Sequence, residues 1–179
     1  MIKEVVPNFL EILTLISGIA ALLVILIMIY SKVSGRDNFP WLFRFFREDY
    51  FILGLVVSLT ATLGSLFYSD IMGFNPCILC WYQRIFMYPQ VILFAVALWK
   101  KDRKVVRYSL TFSIIGALLA AYHYLGQISV IKGLPCEAVG YSSSCAETFF
   151  LAYNYITIPM MSLTAFVLLI ILGINFLKR

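Results

Sequence analysis

The sequence predicts an all-α membrane protein, on the basis of its composition and the length of its apolar runs. The chain is 62% hydrophobic and 13% charged, with a mean hydropathy of +0.92, whereas soluble domains are about 45–50% apolar and about 25% charged. A helix crosses the hydrocarbon core of a bilayer with roughly 20 mostly apolar residues. Five stretches approach or exceed that length, at about residues 9–30, 50–69, 81–99, 108–130 and 156–177. We therefore predict five transmembrane helices in one compact bundle with short connections.

The first stretch is predicted to be a retained helix rather than a cleaved signal peptide. It is long for the apolar region of a signal peptide, its start is only weakly basic (Lys3 beside Glu4), and it has no obvious small-residue cleavage site. The connection after it, residues 31–49, mixes aromatic and basic residues between Trp41 and Arg47. Such a mixture is typical of a helix that lies at the membrane interface.

Prolines interrupt two of the later stretches. Pro89 lies inside the third stretch and should kink that helix, because proline lacks a backbone donor. Pro159 lies close to the start of the fifth stretch, where the missing donor costs little, so it should mark the helix start.

The formal charge of +5 is explained by the membrane topology and does not indicate a nucleic-acid partner. Eleven of the fourteen basic residues fall on one side of the membrane if every stretch crosses it. These residues are Lys32, Arg36, Arg44, Arg47, Lys100, Lys101, Arg103, Lys104, Arg107, Lys178 and Arg179. By the positive-inside rule this side is cytoplasmic. The N-terminus and both cysteine-bearing gaps then face outward, into a compartment where disulfides persist.

Cys77 and Cys80 form a C-x-x-C motif that leads directly into the third stretch. We expect Cys80 in or next to the first helical turn, where the helix dipole favours a thiolate. C-x-x-C also occurs in haem attachment sites and zinc sites. Haem attachment requires a histidine at position 81, which is tryptophan here. A zinc site of all four cysteines stays open, although the second cysteine pair has an atypical spacing.

Arg84 lies four residues after Cys80, on the same face of the predicted helix and just inside the membrane. A charge at that depth is costly unless it is paired or faces a polar cavity, so a functional role is the default hypothesis. The structural alternative is that the side chain extends to the interface.

Cys136 and Cys145 are separated by eight residues that include Gly140 and a serine run. Such a loop is flexible enough to close a disulfide, which would either stabilise the loop by roughly 2–3 kcal/mol or take part in a relay with the first pair. His123 is the only histidine and lies near the outer half of the fourth stretch. It either serves a function, as a hydrogen-bond donor or a proton carrier, or is satisfied by a neighbouring helix.

These residues together resemble the DsbB family of membrane disulfide-bond-formation proteins, including the short forms called BdbC. The resemblance covers roughly residues 50–177. It rests on Cys77-Ile78-Leu79-Cys80 with Arg84, on Tyr122-His123 with Gln127, and on Cys145-Ala146-Glu147 followed by Ile158-Pro159. The resemblance implies a four-helix redox domain at residues 50–179, with residues 1–49 as an additional transmembrane helix and a cytoplasmic amphipathic connection.

The resemblance also implies an activity, that of a quinone-dependent thiol:disulfide oxidoreductase in the inner membrane of a prokaryote. Cys77 and Cys80 would be the pair beside ubiquinone or menaquinone, Arg84 its polar contact and His123 a further contact. Cys136 and Cys145 would form the disulfide that meets a soluble thioredoxin-fold oxidase similar to DsbA or BdbD, with Cys136 as the attacked sulfur. No resident metal is implied.

Two departures from the usual family pattern accompany the resemblance. The additional helix puts residue 1 outside, and the short Cys136–Cys145 loop fits the shorter family branch. Two other functions remain compatible with the residue types. One is a quinone reductase similar to vitamin-K-epoxide reductase, in which electrons flow the opposite way. The other is a non-catalytic membrane scaffold or metal-handling protein.

Overall fold

The computed structural model describes residues 2–34, 40–128, 130, 144–145, 148–149 and 151–177, and these residues are almost entirely helical. A single β-bridge joins Ala152 and Ile156 within the described residues. The elements in chain order are α1 (Ile2–Ser34), α2 (Pro40–Glu48), α3 (Tyr50–Leu66), a π-helical turn (Phe67–Ile71), α4 (Ile78–Lys100), α5 (Val105–Gln127) and α6 (Ile158–Leu177).

Four segments of the described chain are long and apolar enough to cross a membrane. They are Lys3–Ser31, Tyr50–Ile71, Val105–Gln127 and Ile158–Leu177, which correspond to the first, second, fourth and fifth predicted stretches. Helix α4 has 23 residues but is not among these candidates, since Gln83, Arg84 and Gln90 lower its apolar character. The predicted all-helical membrane fold is confirmed with four candidate spans, and the predicted fifth span is not shown.

The polar residues of α4 face the interior of the bundle. Gln90 is fully buried, and its Oε1 accepts hydrogen bonds from Ser109 Oγ at 2.7 Å and Ser113 Oγ at 3.2 Å. Its Nε2 donates to the carbonyl of Phe86 at 3.0 Å. Buried amides of this kind are stable only when satisfied, so these bonds tie α4 to α5.

Glycines allow close helix contacts in the core. A Cβ atom at Gly54 of α3 would lie 2.4 Å from the ring of Phe94 in α4. A Cβ atom at Gly116 of α5 would lie 2.3 Å from the ring of Phe166 in α6. Both rings are fully buried, and small residues at helix contacts are typical of membrane bundles.

The N-terminal helices lie against this bundle. Ala21 and Val24 of α1 are buried against Ile171 of α6. The predicted helix in the 31–49 connection is confirmed as α2, in which Arg44 pairs with Glu48 at 2.7 Å. Pro159 lies in the first turn of α6, as predicted, while Pro89 lies within α4.

Candidate functional site

The first cysteine pair lies at the N-terminus of α4. Cys77 is the N-cap residue, and its Sγ accepts a hydrogen bond from the backbone N–H of Cys80 at 3.3 Å. Cys80 lies in the first turn of the helix, as the sequence predicts. The backbone N–H groups of a first turn have no partners within the helix, so the sulfur of Cys77 occupies a place that favours negative charge.

Cys77 and Cys80 are free thiols whose Sγ atoms lie 2.9 Å apart. The hydrogen bond between the sulfurs lowers the pKa of Cys77 to about 4, with His123 contributing in the same direction and burial opposing both. The sequence placed the favoured thiolate at Cys80. In this dithiol state the thiolate belongs to Cys77, because the helix N-terminus, Cys80 and His123 all converge on its sulfur.

His123 of α5 is buried, with 1% of its surface exposed, and both of its ring nitrogens are engaged. Nδ1 lies 3.0 Å from the amide nitrogen of Gln83. Nε2 lies 3.1 Å from the carbonyl oxygen of Cys145 and 3.7 Å from Sγ of Cys77. The histidine therefore joins the helix that bears the first cysteine pair to the segment that bears Cys145.

The two predicted cysteine pairs meet at Cys145. Cys145 is disulfide-bonded and fully buried. Its Sγ, the Sγ of Cys77 and a ring nitrogen of His123 lie within 4.8 Å of one another. Cys136 and most of the predicted loop around it fall outside the described residues, so its pairing with Cys145 stays a prediction. The contact nonetheless puts one sulfur of the second pair beside the first pair.

The same three side chains, Cys77, His123 and Cys145, have metal-ligating chemistry. Structural zinc takes four ligands, and a cysteine must be a thiolate to bind it. Because Cys145 is disulfide-bonded, it has no thiolate to offer, and Cys77 and His123 alone do not make a zinc site. The arrangement is better suited to exchange between neighbouring sulfurs.

The side chain of Arg84 is held against α3. Its Nε donates to Ser65 Oγ at 3.0 Å and its Nη2 donates to the Ser65 carbonyl at 3.2 Å. The guanidinium also lies 5.1 Å from the ring centre of Trp81. The one ion pair among the described residues is Arg44 with Glu48, so the described residues give Arg84 no carboxylate partner.

A mostly apolar cavity of about 280 Å³ joins these groups. Cys77, Cys80, Arg84 and His123 all line it, and its walls come from α1, α3, α4, α5 and α6. Its volume is near the lower end of small-molecule sites, about 300–1,000 Å³. The cavity therefore combines two thiols, a guanidinium with no carboxylate partner among the described residues, and mostly apolar walls.

Three side chains of this site were not singled out from the sequence: Gln83, Ser65 and Tyr88. Gln83 carries a signal that was available, because a polar residue three positions after Cys80 shares its helix face. Ser65 and Tyr88 carry no such signal, because serine and tyrosine are ordinary residues in a membrane helix. Only the fold brings them together, with the hydroxyl of Tyr88 donating to Ser65 Oγ at 3.1 Å.

Comparison with known proteins finds disulfide bond formation proteins, both as a family and as individual relatives. The profile of the family "Disulfide bond formation protein DsbB" matches residues 47–176. The chain is 41% identical over 132 residues to the SPbeta prophage-derived disulfide bond formation protein B of Bacillus subtilis (strain 168), covering 74% of this chain and 88% of the relative. It is 43% identical over 118 residues to disulfide bond formation protein C of the same organism, covering 65% of this chain and 83% of the relative.

A third relative is the probable disulfide formation protein C 1 of Bacillus cereus, which is 40% identical over 125 residues. The match covers 68% of this chain and 87% of that relative. No solved structure matches the chain. The family profile begins its match at residue 47, so helix α1 lies outside it.

Proposed function

This chain belongs to the DsbB family of disulfide bond formation proteins, and from that premise we propose that it reoxidises an extracytoplasmic thioredoxin-fold disulfide-forming protein and passes the electrons to quinone. The observation that carries the proposal is the grouping of Cys77, His123 and Cys145 within 4.8 Å. It gives electrons a direct route from the second cysteine pair to the first, which lies beside the cavity.

The first step is oxidation of the partner protein. A thiolate of the partner attacks Cys136 of a Cys136–Cys145 disulfide and releases Cys145 as a thiolate. The partner's second thiolate then resolves the mixed disulfide, so that the partner leaves oxidised and Cys136 is a thiolate too. Cys145 is fully buried, which favours Cys136 as the sulfur that meets a soluble partner.

The second step is exchange between the two pairs. The Cys145 thiolate attacks Sγ of Cys77 in an oxidised Cys77–Cys80 pair, so that the Cys145–Cys77 bond forms, the Cys77–Cys80 bond breaks and Cys80 leaves as a thiolate. Cys136 then attacks Cys145, restoring the outer disulfide and releasing Cys77 as a thiolate. Once Cys80 has taken up a proton, its hydrogen bond lowers the pKa of Cys77 to about 4, which makes Cys77 a good leaving group for this attack.

The third step restores the inner disulfide. A quinone bound beside Cys80 and Arg84 would accept the two electrons of the Cys77 and Cys80 sulfurs, together with the two protons that the partner's thiols lose overall, and would leave as quinol. Arg84 stabilises negative charge near Cys80 in a cavity of low dielectric constant, where a fixed cation is most effective. His123 bridges the two pairs in the described geometry, and its predicted contact with quinone remains part of the proposal because it also lines the cavity.

We include a fifth crossing in the proposal, formed by α4. Its 23 residues would span about 34 Å at 1.5 Å per residue, compared with a hydrocarbon core about 30 Å thick. Its low hydropathy reflects amides such as Gln90 that are satisfied inside the bundle. Five crossings put the N-terminus and both cysteine pairs outside a prokaryotic inner membrane and the basic connections in the cytoplasm.

Turnover by the purified protein tests the proposal. In detergent or nanodiscs, the protein should oxidise a reduced thioredoxin-fold partner only when quinone is present. Cys80→Ser and Cys136→Ser should abolish turnover, and Arg84→Met should weaken it. Arg103→Met is the matched control, since Arg103 is exposed and lies in the connection between α4 and α5, far along the chain from the cysteines. Unchanged turnover in either cysteine variant would disprove the scheme.

Disulfide mapping separates the proposed route from an inert one. In Cys80→Ala, Cys77 has no partner in its own pair, so its thiolate should attack Cys145 of the Cys136–Cys145 disulfide. A Cys77–Cys145 disulfide then forms, Cys136 leaves as a thiolate, and alkylation of Cys136 should trap the new bond. Mass spectrometry should detect this bond. Disulfides that stay fixed with and without quinone would instead support a structural role for the cysteines.

A further inference from the structure

Helix α1 presents one stripe of residues to the rest of the protein. Leu10, Thr14, Ser17, Ala21 and Val24 recur every three or four positions and so lie on one face of the helix. The stripe divides into two parts. Ala21 and Val24 are buried against Ile171 of α6, whereas Leu10, Thr14 and Ser17 line the cavity that contains Cys80 and Arg84.

The N-terminal part of α1 contacts α3 beside the cavity. A Cβ atom at Gly64 of α3 would lie 3.3 Å from Cδ1 of Leu10, so the two helices are in contact there. Helix α1 therefore contacts α6 around Ala21 and Val24, and it contacts α3 near its own N-terminal end. The cavity lies behind this helix, and α1 supplies a wall that the stretch matched by the family profile, residues 47–176, does not contain.

The wall formed by α1 is chemically apolar although it carries two hydroxyl groups. Thr14 Oγ1 donates to the carbonyl of Leu10 at 2.7 Å, and Ser17 Oγ donates to the carbonyl of Thr14 at 3.2 Å. Because both hydroxyl hydrogens are directed back into the helix, Thr14 and Ser17 offer the cavity no hydrogen-bond donor. The donors of Arg84 and Tyr88 lie on another wall, on α4.

The cavity extends from Cys80 and Arg84 along α6 to the middle of that helix. On α6 its lining runs from Ile158 to Leu168, about 15 Å at 1.5 Å per residue, or roughly half of the 30 Å hydrocarbon core. A molecule that fits this elongated, mostly apolar cavity has a polar ring beside Cys80 and Arg84 and a long hydrocarbon tail that continues toward the middle of the bilayer.

We propose that α1 forms the binding wall for the isoprenoid tail of the quinone, so that Leu10, Thr14 and Ser17 determine which tails the protein accepts. The inference rests on the proposed quinone-dependent function and adds a specificity determinant to it. The ring is recognised by residues of the family-matching bundle, and the tail is recognised by the helix outside it.

Substitution of Ser17 with phenylalanine tests the proposal, because the new side chain would project into the cavity. Ile16→Phe is the matched control, since Ile16 is the adjacent residue and is 60% exposed on the outside of the helix. Ser17→Phe should raise the KM for a quinone with a long isoprenoid tail about tenfold, equivalent to about 1.4 kcal/mol. The KM for a tailless quinone of the same ring and the kcat should change less than about twofold, as expected when uniform binding is lost.

A second readout does not depend on turnover. A ligand that binds the folded protein raises its thermal midpoint, so the long-tailed quinone should stabilise the wild type and Ile16→Phe more than Ser17→Phe. If Ser17→Phe does not fold, Thr14→Leu provides the same test with less added bulk. Equal effects of the Ser17 and Ile16 variants, or equal effects on tailed and tailless quinones, would overturn the proposal.

The two proposals fail in different ways. If the proposed function is wrong, the wild type will not oxidise its partner with any quinone. If only the role of α1 is wrong, the wild type will turn over and the Ser17 variant will show an unchanged preference for tails.

Discussion

Gln83 donates a hydrogen bond to His123 across the interface of α4 and α5, with 3.0 Å between the amide Nε2 and the ring Nδ1. An amide nitrogen has no lone pair to accept with, so Nδ1 is the acceptor and the hydrogen of the neutral ring lies on Nε2. That hydrogen faces the carbonyl of Cys145 and the sulfur of Cys77. Gln83 thus acts as a positioning residue for the contact between the two cysteine pairs.

Gln83→Leu should therefore slow exchange between the pairs. Loss of a buried hydrogen bond costs about 1–3 kcal/mol, which corresponds to a rate reduced about fivefold to 150-fold. Rapid mixing of the oxidised protein with a reduced partner, followed by acid quenching and disulfide mapping, measures the rate at which the Cys145–Cys77 bond forms. Gln90→Leu makes the same change two turns deeper in α4, away from the sulfurs, and should leave this rate within about twofold of the wild type. Equal slowing in both variants would mean that Gln83 serves only stability.

The pKa of the Cys77 thiol should depend on the hydrogen-bonding group at position 80. In the reduced wild type the pKa of Cys77 is lowered to about 4, chiefly by the hydrogen bond with Cys80. The ultraviolet absorbance of the thiolate should thus persist as the pH falls and disappear only near pH 4. Cys80→Ala removes the donor and should raise the pKa of Cys77 toward the ordinary value of about 8.5.

Cys80→Ser is the control for this titration. A serine hydroxyl can still donate to the sulfur, so the pKa of Cys77 should stay closer to that of the wild type than in Cys80→Ala. If the alanine and serine variants titrate at the same pH, the hydrogen bond from position 80 does not lower the pKa of Cys77.

Ser65 should affect quinone binding through Arg84. Ser65→Ala removes the hydroxyl that accepts from Nε of Arg84 and from the hydroxyl of Tyr88. Hydrogen bonds to charged groups contribute about 1.5–3 kcal/mol, so we expect the KM for quinone to rise roughly tenfold. The rate of exchange between the cysteine pairs should not change, because Ser65 contacts neither pair in the described residues.

Ser58→Ala provides the comparison for the Ser65 variant. Ser58 is buried on the same helix and donates to the carbonyl of Gly54 at 2.8 Å, with no contact to Arg84 among the described bonds. Steady-state kinetics at varied quinone concentration should give a KM near that of the wild type. A similar rise in both variants would contradict a specific role for Ser65.

The parts of this site that follow from local spacing could be predicted from the sequence. The position of Cys77 and Cys80 at a helix start, and of Arg84 on the same face, depend only on the helical repeat and on where the apolar run begins. The partners of these residues depend on how the helices pack. Ser65 is 19 residues before Arg84, and Gln83 is 40 residues before His123, so no local pattern relates them.

Two predictions made from the sequence differ from the structure: the cysteine that bears the thiolate and the fifth transmembrane span. The helix dipole alone favours a thiolate at Cys80, but the hydrogen bond with the Cys80 thiol, together with His123 and the Cys80 backbone N–H, shifts it to Cys77. The apolar length of residues 81–99 predicted a span, while the interior amides of α4 keep it outside the four candidate spans. The first difference arises from tertiary contacts that a single stretch of sequence does not contain, whereas the second arises from polar residues that the stretch itself contains.

The close helix contacts at glycines should make the bundle sensitive to single methyl groups. Gly116→Ala would put a Cβ atom 2.3 Å from the buried ring of Phe166, so the ring or a helix must move, and overpacking of this kind costs about 1–3 kcal/mol. Gly18→Ala is the matched control, since a Cβ atom there has no neighbour within 4 Å and alanine favours the helix by up to about 1 kcal/mol. Thermal unfolding in detergent should show a lower midpoint for Gly116→Ala and an equal or higher one for Gly18→Ala. A Gly116→Ala variant as stable as the wild type would show that α5 and α6 are not packed as closely as described.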